Sequence, residues 1–175
     1  MRDGEVGMSS FINVIIKADQ GLFLSINRQQ RAGLYKFFAF ITNFGGVWFQ
    51  TGLALAMLLF PSNRALGVKL AYTQIVVTLV VHIIKRSIAR VRPFNALESI
   101  CPHKFEKDYS FPSGHTAATF SAALVLSTFV PVLQMVWFGA AVVVAFSRIY
   151  LGVHYPSDVL AGGMIGVGIT GLLLI

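Results

Sequence analysis

The sequence predicts an all-α integral membrane protein, a bundle of about five to six helices with an N-terminal amphipathic interfacial helix. Three observations carry that expectation. Of the 175 residues, 55% are hydrophobic and only 12% are charged. Residues 37–63, 70–84, 116–147 and 159–175 contain no Lys, Arg, Asp or Glu. Uncharged apolar runs of that length suit a bilayer core of about 30 Å better than a very apolar soluble core. The net charge is +7, and the basic residues gather at the ends of the apolar runs. That placement favours anionic headgroups or a phosphorylated substrate as partner, and not nucleic acid.

The chain divides into an amphipathic N-terminal segment, 1–33, and a transmembrane domain, 34–175. Met1-Arg2-Asp3-Gly4-Glu5 leads into no compact apolar region with a cleavage site, so no cleavable signal peptide is expected. Over 11–28, Phe11, Ile12, Ile15, Leu22, Phe23 and Ile26 share one helical face, and Asn13, Lys17, Gln20 and Arg28 the other. That pattern suits a helix lying in the membrane interface, with a partly buried first helix of the bundle as the alternative. The stretch 34–60 is long enough to cross, and Gly45-Gly46 divides it with a kink. Whether 34–44 is a separate short helix stays open at this point. Pro61-Ser62-Asn63-Arg64 is a turn signal, and a span follows over 66–90, with Lys69 able to snorkel. Residues 91–113 form a loop with Pro93, Pro102 and Pro112. The run 116–147 holds 32 residues, roughly 48 Å as one helix, with Pro131 near its middle. Proline there breaks one helix or starts the next, which gives two antiparallel spans, 115–130 and 132–149. The last span covers 157–175. Cys101 is the only cysteine, so no disulfide forms within the chain.

This topology gathers residues 85–92, 112–115 and 148–158 on one membrane face. In "KRSIARVRP", Lys85 and Arg92 are seven residues apart, two helical turns, and Pro93 disfavours helix at Arg92. Alone, such a pair commonly just meets headgroups. In "PSGH", Ser113 is a natural N-cap before His115, and Gly114 lets a ligand approach the backbone. The free N–H groups of the helix start then suit an anion, although an ordinary cap with a bystander histidine reads equally well. In "SRIYLGVHYPSD", Arg148 brings a planar donor fork, and Asp158 lies four residues after His154. A carboxylate on one imidazole nitrogen fixes the tautomer and frees the other to attack. The plain alternative is a capping Asp beside an interfacial His. On one face, three cations, a helix start, two histidines and a carboxylate suit a phosphoryl group, its nucleophile and its acid. One Asp amid Lys85, Arg92 and Arg148 is a poor divalent-cation site, and the same charge argues against zinc on His115, His154 and Asp158.

These motifs resemble those of the type 2 phosphatidic acid phosphatase superfamily of metal-independent phosphatases, which also contains vanadium haloperoxidases and glucose-6-phosphatases. The family's K-x6-R-P, P-S-G-H and S-R-x5-H-x3-D stand here as Lys85 to Arg92-Pro93, Pro112 to His115, and Ser147-Arg148 through His154 to Asp158. The resemblance covers roughly 66–175. It implies that His154 attacks phosphorus and forms a phosphohistidine, that Asp158 orients His154, and that His115 protonates the leaving oxygen. Lys85, Arg92, Ser113, Gly114 and Arg148 would hold the phosphate oxygens, with no metal and no cofactor. His154 must be neutral and His115 protonated, so a bell-shaped pH–rate profile is expected. His82 and His103 match no motif position.

The resemblance further implies a lipid phosphate or pyrophosphate as substrate, with undecaprenyl pyrophosphate and phosphatidylglycerophosphate the leading candidates. Alternatives are lipid A phosphatase activity, or a lipid-phosphate binding or transport protein without turnover. Membrane lipids are the expected partners, with no obligate protein partner. The positive-inside rule places the 85–107 loop in the cytoplasm, but the site itself claims several of those charges. Bacterial relatives imply a multi-pass protein of the cytoplasmic (inner) membrane with its active site on the extracytoplasmic face.

Overall fold

The computed structural model describes residues 3–97 and 102–175; Cys101 and the side chains of Phe11, Ile12 and Asn13 lie outside what is described. The elements are α1 (Asp3–Asn27), α2 (Ala32–Ile41), α3 (Val47–Leu59), α4 (Arg64–Ile88), the single turn α5 (Pro93–Ala96), α6 (Gly114–Phe129), α7 (Gln134–Tyr150) and α8 (Pro156–Leu174). The described residues contain no strand. Pro61–Ala96, Pro131–Tyr150 and Pro156–Leu174 are long and apolar enough to cross a membrane, and α3 is a shorter apolar helix.

The stretch 34–60 resolves into two helices. A 3-10 turn, Thr42–Gly45, and an extended Gly46 separate α2 from α3. Close packing explains the glycine at 45: a Cβ there would lie 2.9 Å from the His115 Cβ and 2.9 Å from Val144. Pro131 stands where α6 has ended, and a short 3-10 turn, Pro131–Leu133, starts α7.

Helix α6 sits at the centre, against α8, α7 and α4. Its approach to α8 is set by glycine. A Cβ on Gly162 would lie 2.5 Å from the Ser113 carbonyl oxygen, and one on Gly166 would overlap the Ala117 carbonyl. Small residues four apart let two helix backbones touch in a bilayer, where burial drives little association. Polar bonds hold α6 to both neighbours: Thr170 Oγ1 of α8 donates to Ser121 Oγ at 2.7 Å, and Gln74 Nε2 of α4 to the Ala118 carbonyl at 2.9 Å. Many large apolar side chains point outward, among them Trp48, Leu79, Val132 and Leu160, as a lipid-facing surface requires.

Helix α1 packs against α7 and α8. Phe23 is fully buried with Ala145, Ile149, Tyr155 and Val159, whereas Ile15 and Leu22, placed on the same helical face, stay exposed. Asn27, outside that apolar set, is buried and donates to the Tyr150 carbonyl at 3.0 Å.

Candidate active site

The sequence motifs meet at one end of the bundle, each delivered by a chain reversal. Helix α4 ends at Ile88; Ala89 takes a left-handed conformation with φ 50°, and Arg92 is extended at φ −72°, ψ 154°. Lys85 and Arg92 therefore do not share a helical face, as seven-residue spacing suggested. The helix stops a turn too early for that. The reversal at Ala89 nevertheless turns both cations onto Asp108: Lys85 Nζ lies 2.9 Å from its Oδ2, and Arg92 pairs with Oδ1.

Ser113 occupies the N-cap position of α6, but its hydroxyl makes no capping bond. Its Oγ accepts from Thr116 Oγ1 at 2.9 Å, and its N–H donates to the Asp158 carbonyl at 2.9 Å. The start of α6 is thereby tied to the start of α8. Gly114 and His115 line a cleft with His154 and Lys85.

Arg148, in the last turn of α7, is buried; Nη1 donates to Thr42 Oγ1 at 2.9 Å, and Nη2 pairs with Glu106. Its Nε has no partner. Arg92 Nη1 donates to the Val153 carbonyl at 2.9 Å and lies 3.3 Å from His154 Nε2. Arg92 Nη2 also meets Glu106 Oε2 at 2.6 Å. Thus two carboxylates of the 102–113 loop occupy the three cations, Lys85, Arg92 and Arg148. Buried cations need such partners, since an unpaired buried charge is strongly unfavourable. Burial alone would raise the Glu106 pKa, but Arg148 and Arg92 outweigh it and hold the carboxyl at about 2. Asp108 is likewise at about 2: burial works upward, and Lys85 and Arg92 work downward more strongly.

His154 is 1% exposed, and its Nδ1 is unpartnered. Asp158 Oδ2 stands 3.6 Å from that nitrogen, too far for a hydrogen bond. The carboxylate is engaged elsewhere: Oδ2 accepts from Ser110 Oγ at 2.5 Å and from the Tyr155 N–H at 2.8 Å, and Oδ1 accepts from Arg90 Nη1 at 2.7 Å. Burial, then the positive charges of Arg148 and Arg92, push the His154 pKa well below the usual imidazole value, so the ring is neutral.

Sequence reasoning missed Arg90, Ser110, Glu106, Asp108 and, from α1, Asp19. A signal existed for three of them. The chain has only seven Asp and Glu residues. Acids are costly in so apolar a protein and mark a function or a partner by default. Asp19, Glu106 and Asp108 all join the cluster around Asp158 and the cations.

Two cavities converge here. A cleft of about 700 Å³ runs between α3 and α4, past Ala54, Leu55, Ile75 and Leu79, and ends at Lys85, His115 and His154. A more polar pocket of about 490 Å³ reaches the same place past Thr42, Asn43, His103 and Lys104. Glu106, Asp108 and His115 line both. His82 lies along the apolar cleft, its Nδ1 2.9 Å from the Thr78 carbonyl, and His103 Nδ1 meets Tyr35 Oη at 3.2 Å in the polar one. Among the described residues, no three His, Cys, Asp or Glu side chains are arranged to hold a metal ion.

A family model described as the PAP2 superfamily matches residues 66–175. The undecaprenyl-diphosphatase of Sulfolobus acidocaldarius is 31% identical over 153 residues, which is 85% of this chain and 73% of the relative. Among solved structures, a transmembrane PAP2-type phosphatidylglycerolphosphate phosphatase from Bacillus subtilis superposes with a TM-score of 0.79 at 26% identity, covering 93% of this chain and 85% of that one. The LpxE of Aquifex aeolicus superposes with a TM-score of 0.77 at 29% identity, over 88% and 93% of the two chains.

Proposed function

The chain belongs to the PAP2 superfamily, an integral membrane phosphatase, and on that premise we propose that it cleaves a membrane lipid phosphate or pyrophosphate without a metal, through a phosphohistidine on His154. One observation carries the reading: Lys85, Arg92 and Arg148 ring His154 at the inner end of an apolar cleft open between α3 and α4. The cleft suits an acyl or prenyl chain, and the cations suit its phosphorylated head.

The chemistry follows from the two faces of the imidazole. Nδ1 faces Asp158, Nε2 faces Arg92, and the residue lines the cleft, so Nε2 is the attacking nitrogen. Its lone pair forms the bond to phosphorus as the bond to the lipid-side oxygen breaks. Lys85, Arg92 and Arg148 take up charge on the phosphoryl oxygens, with the Ser113–Gly114 helix start beside them. They must first release Glu106 and Asp108, because the same donors serve both. His115 gives its proton to the leaving oxygen. Asp158 stabilises the imidazolium through Nδ1–H and closes the 3.6 Å gap as that charge appears. Water then attacks phosphorus, His115 takes its proton, and the phosphorus–nitrogen bond breaks to release inorganic phosphate. The polar pocket gives water a route separate from the lipid cleft.

For substrate, the likeness to an undecaprenyl-diphosphatase over 85% of the chain supports undecaprenyl pyrophosphate first. The likeness to a phosphatidylglycerolphosphate phosphatase supports phosphatidylglycerophosphate second. Lipid A phosphatase activity is the alternative. The domain is residues 34–175, with 1–33 as an amphipathic segment, and the end of the bundle that carries the site faces outward from the cytoplasmic membrane. Purified protein in detergent with EDTA, offered both substrates, should release phosphate, and His154→Ala should abolish it. Binding of either lipid with no release from the folded wild type would make this a binding protein and not an enzyme.

A further inference from the structure

Helix α1 lies outside the matched region 66–175, yet it supplies a buried acid to the His154 corner. The Asp19 side chain is 8% exposed. Its Oδ2 pairs with Arg90 Nη2 at 2.7 Å and accepts from Ser157 Oγ at 2.5 Å, and its Oδ1 accepts from the Ser157 N–H at 2.9 Å. Arg90 Nη1 donates to Asp158 Oδ1 at 2.7 Å and to Ser157 Oγ at 2.7 Å. The guanidinium also lies 4.0 Å over the Tyr155 ring. Arg90 is therefore clamped between two carboxylates, one from α1 and one four residues beyond His154.

An anchor for α1 would need only the ion pair. This geometry does more, because the guanidinium that Asp19 fixes is itself a ligand of Asp158. The Asp158 carboxylate stands 3.6 Å from a buried His154 Nδ1 that has no other partner. Attack at phosphorus turns that ring into a cation, and Asp158 must supply the compensating charge. Arg90 opposes this, since its positive charge draws on the same carboxylate. A second carboxylate on the far side of Arg90 restores the alternation: negative, positive, negative, imidazolium. We propose that Asp19 is a positioning residue for phosphoryl transfer: through Arg90 it fixes Asp158 against His154 and offsets the charge that would weaken Asp158's hold on the imidazolium. The inference rests on the phosphohistidine reading above. It places the effect on the chemical step and not on substrate affinity, because Asp19 pairs with none of the three phosphate-site cations.

The test is the pre-steady-state burst of phosphoenzyme formed from excess undecaprenyl pyrophosphate in detergent micelles, with steady-state kcat and KM alongside. Burst amplitude counts folded sites, and the rate constant reports chemistry within them. Asp19→Asn should keep a measurable amplitude, slow the rate about tenfold and leave KM within about twofold. In an Arg90→Gln background the same substitution should add little, because its effect passes through Arg90. A wild-type rate at reduced amplitude would reduce Asp19 to a structural anchor and overturn the inference. So would independent, multiplicative losses in the two backgrounds, or a change confined to KM. If Asp19→Asn yields no folded sites, Asp19→Ser is judged by the same criteria. A wild type that forms no phosphoenzyme removes the functional reading, and this inference with it; a wild-type burst matched by Asp19→Asn removes only the inference.

Discussion

In the proposed mechanism Glu106 and a substrate phosphate compete for the guanidiniums of Arg92 and Arg148, and the competition has a calculable size. Glu106 moves from 4.5 to about 2 because Arg148 and Arg92 overcome the cost of its burial. At about 1.36 kcal/mol per pKa unit, the ionised carboxylate is favoured by about 3 kcal/mol. Its side chain is 22% exposed, so most of that survives solvent screening. The folded pKa is depressed, so the contribution is complete above about 4.5 and lost as pH falls toward about 2. Glu106→Gln removes it at neutral pH. The empty protein should then unfold more readily in detergent at pH 7, by up to about 3 kcal/mol, and the difference from wild type should shrink as pH falls below about 4. An oxyanion no longer has to displace a carboxylate. Inhibition by orthovanadate should therefore tighten by about 10- to 100-fold, the upper figure corresponding to the whole 3 kcal/mol. The assay is phosphate release against orthovanadate concentration, with thermal unfolding measured on the same preparations. An inhibition constant that stays constant or rises in folded Glu106→Gln would refute the reasoning, because Glu106 would then be helping to bind the anion.

Three further outcomes follow from other parts of the molecule. Gly166→Ala sets a methyl group against the Ala117 carbonyl and should lower thermal stability by several kcal/mol, whereas Gly168→Ala, with open space around it, should change stability by less than about 1 kcal/mol. Because burial and then Arg148 and Arg92 depress the His154 pKa, the acid limb of kcat/KM, corrected for the substrate's own ionisation, should fall well below pH 6.5; a limb centred at 6.5 would contradict a buried neutral nucleophile. Orientation is tested in a Cys101→Ser background. Lys107→Cys, exposed at the end of the bundle that carries the site, should react in intact cells with a membrane-impermeant maleimide, and Asn63→Cys, exposed at the opposite end, should not; the reverse pattern would turn the site toward the cytoplasm.

Much of the architecture was legible because the bilayer imposes it. Uncharged run lengths, with Pro131 dividing the longest, place the chain reversals that bring Lys85, Ser113, Arg148 and His154 to one end. Spacing was a weaker guide to local geometry. The seven residues from Lys85 to Arg92 span two turns only if the helix continues, and it stops at Ile88. The separation of α2 from α3 was open for a similar reason: Gly45-Gly46 signals a break, but only the contact of Gly45 with His115 and Val144 explains why the break falls there.

The acids were legible in principle and were not read, and the reason is physical. A motif registers residues whose spacing along the chain is fixed by the reaction. Glu106, Asp108 and Asp19 are fixed instead by the charge those residues leave behind. Lys85, Arg92, Arg148 and Arg90 bring four positive charges into one largely buried cluster, and of the acids paired with them only Asp158 belongs to a motif. One carboxylate cannot balance four cations in a low dielectric. At least two or three more had to come from somewhere in a chain that has only seven Asp and Glu in all. Charge balance therefore demands the acids without saying where they stand in sequence, and the fold supplies them from the loop and from α1. The two sources differ in consequence. In the proposed mechanism the loop carboxylates, which pair with Lys85, Arg92 and Arg148, leave when substrate arrives, whereas Asp19 pairs with Arg90 and with none of those three cations.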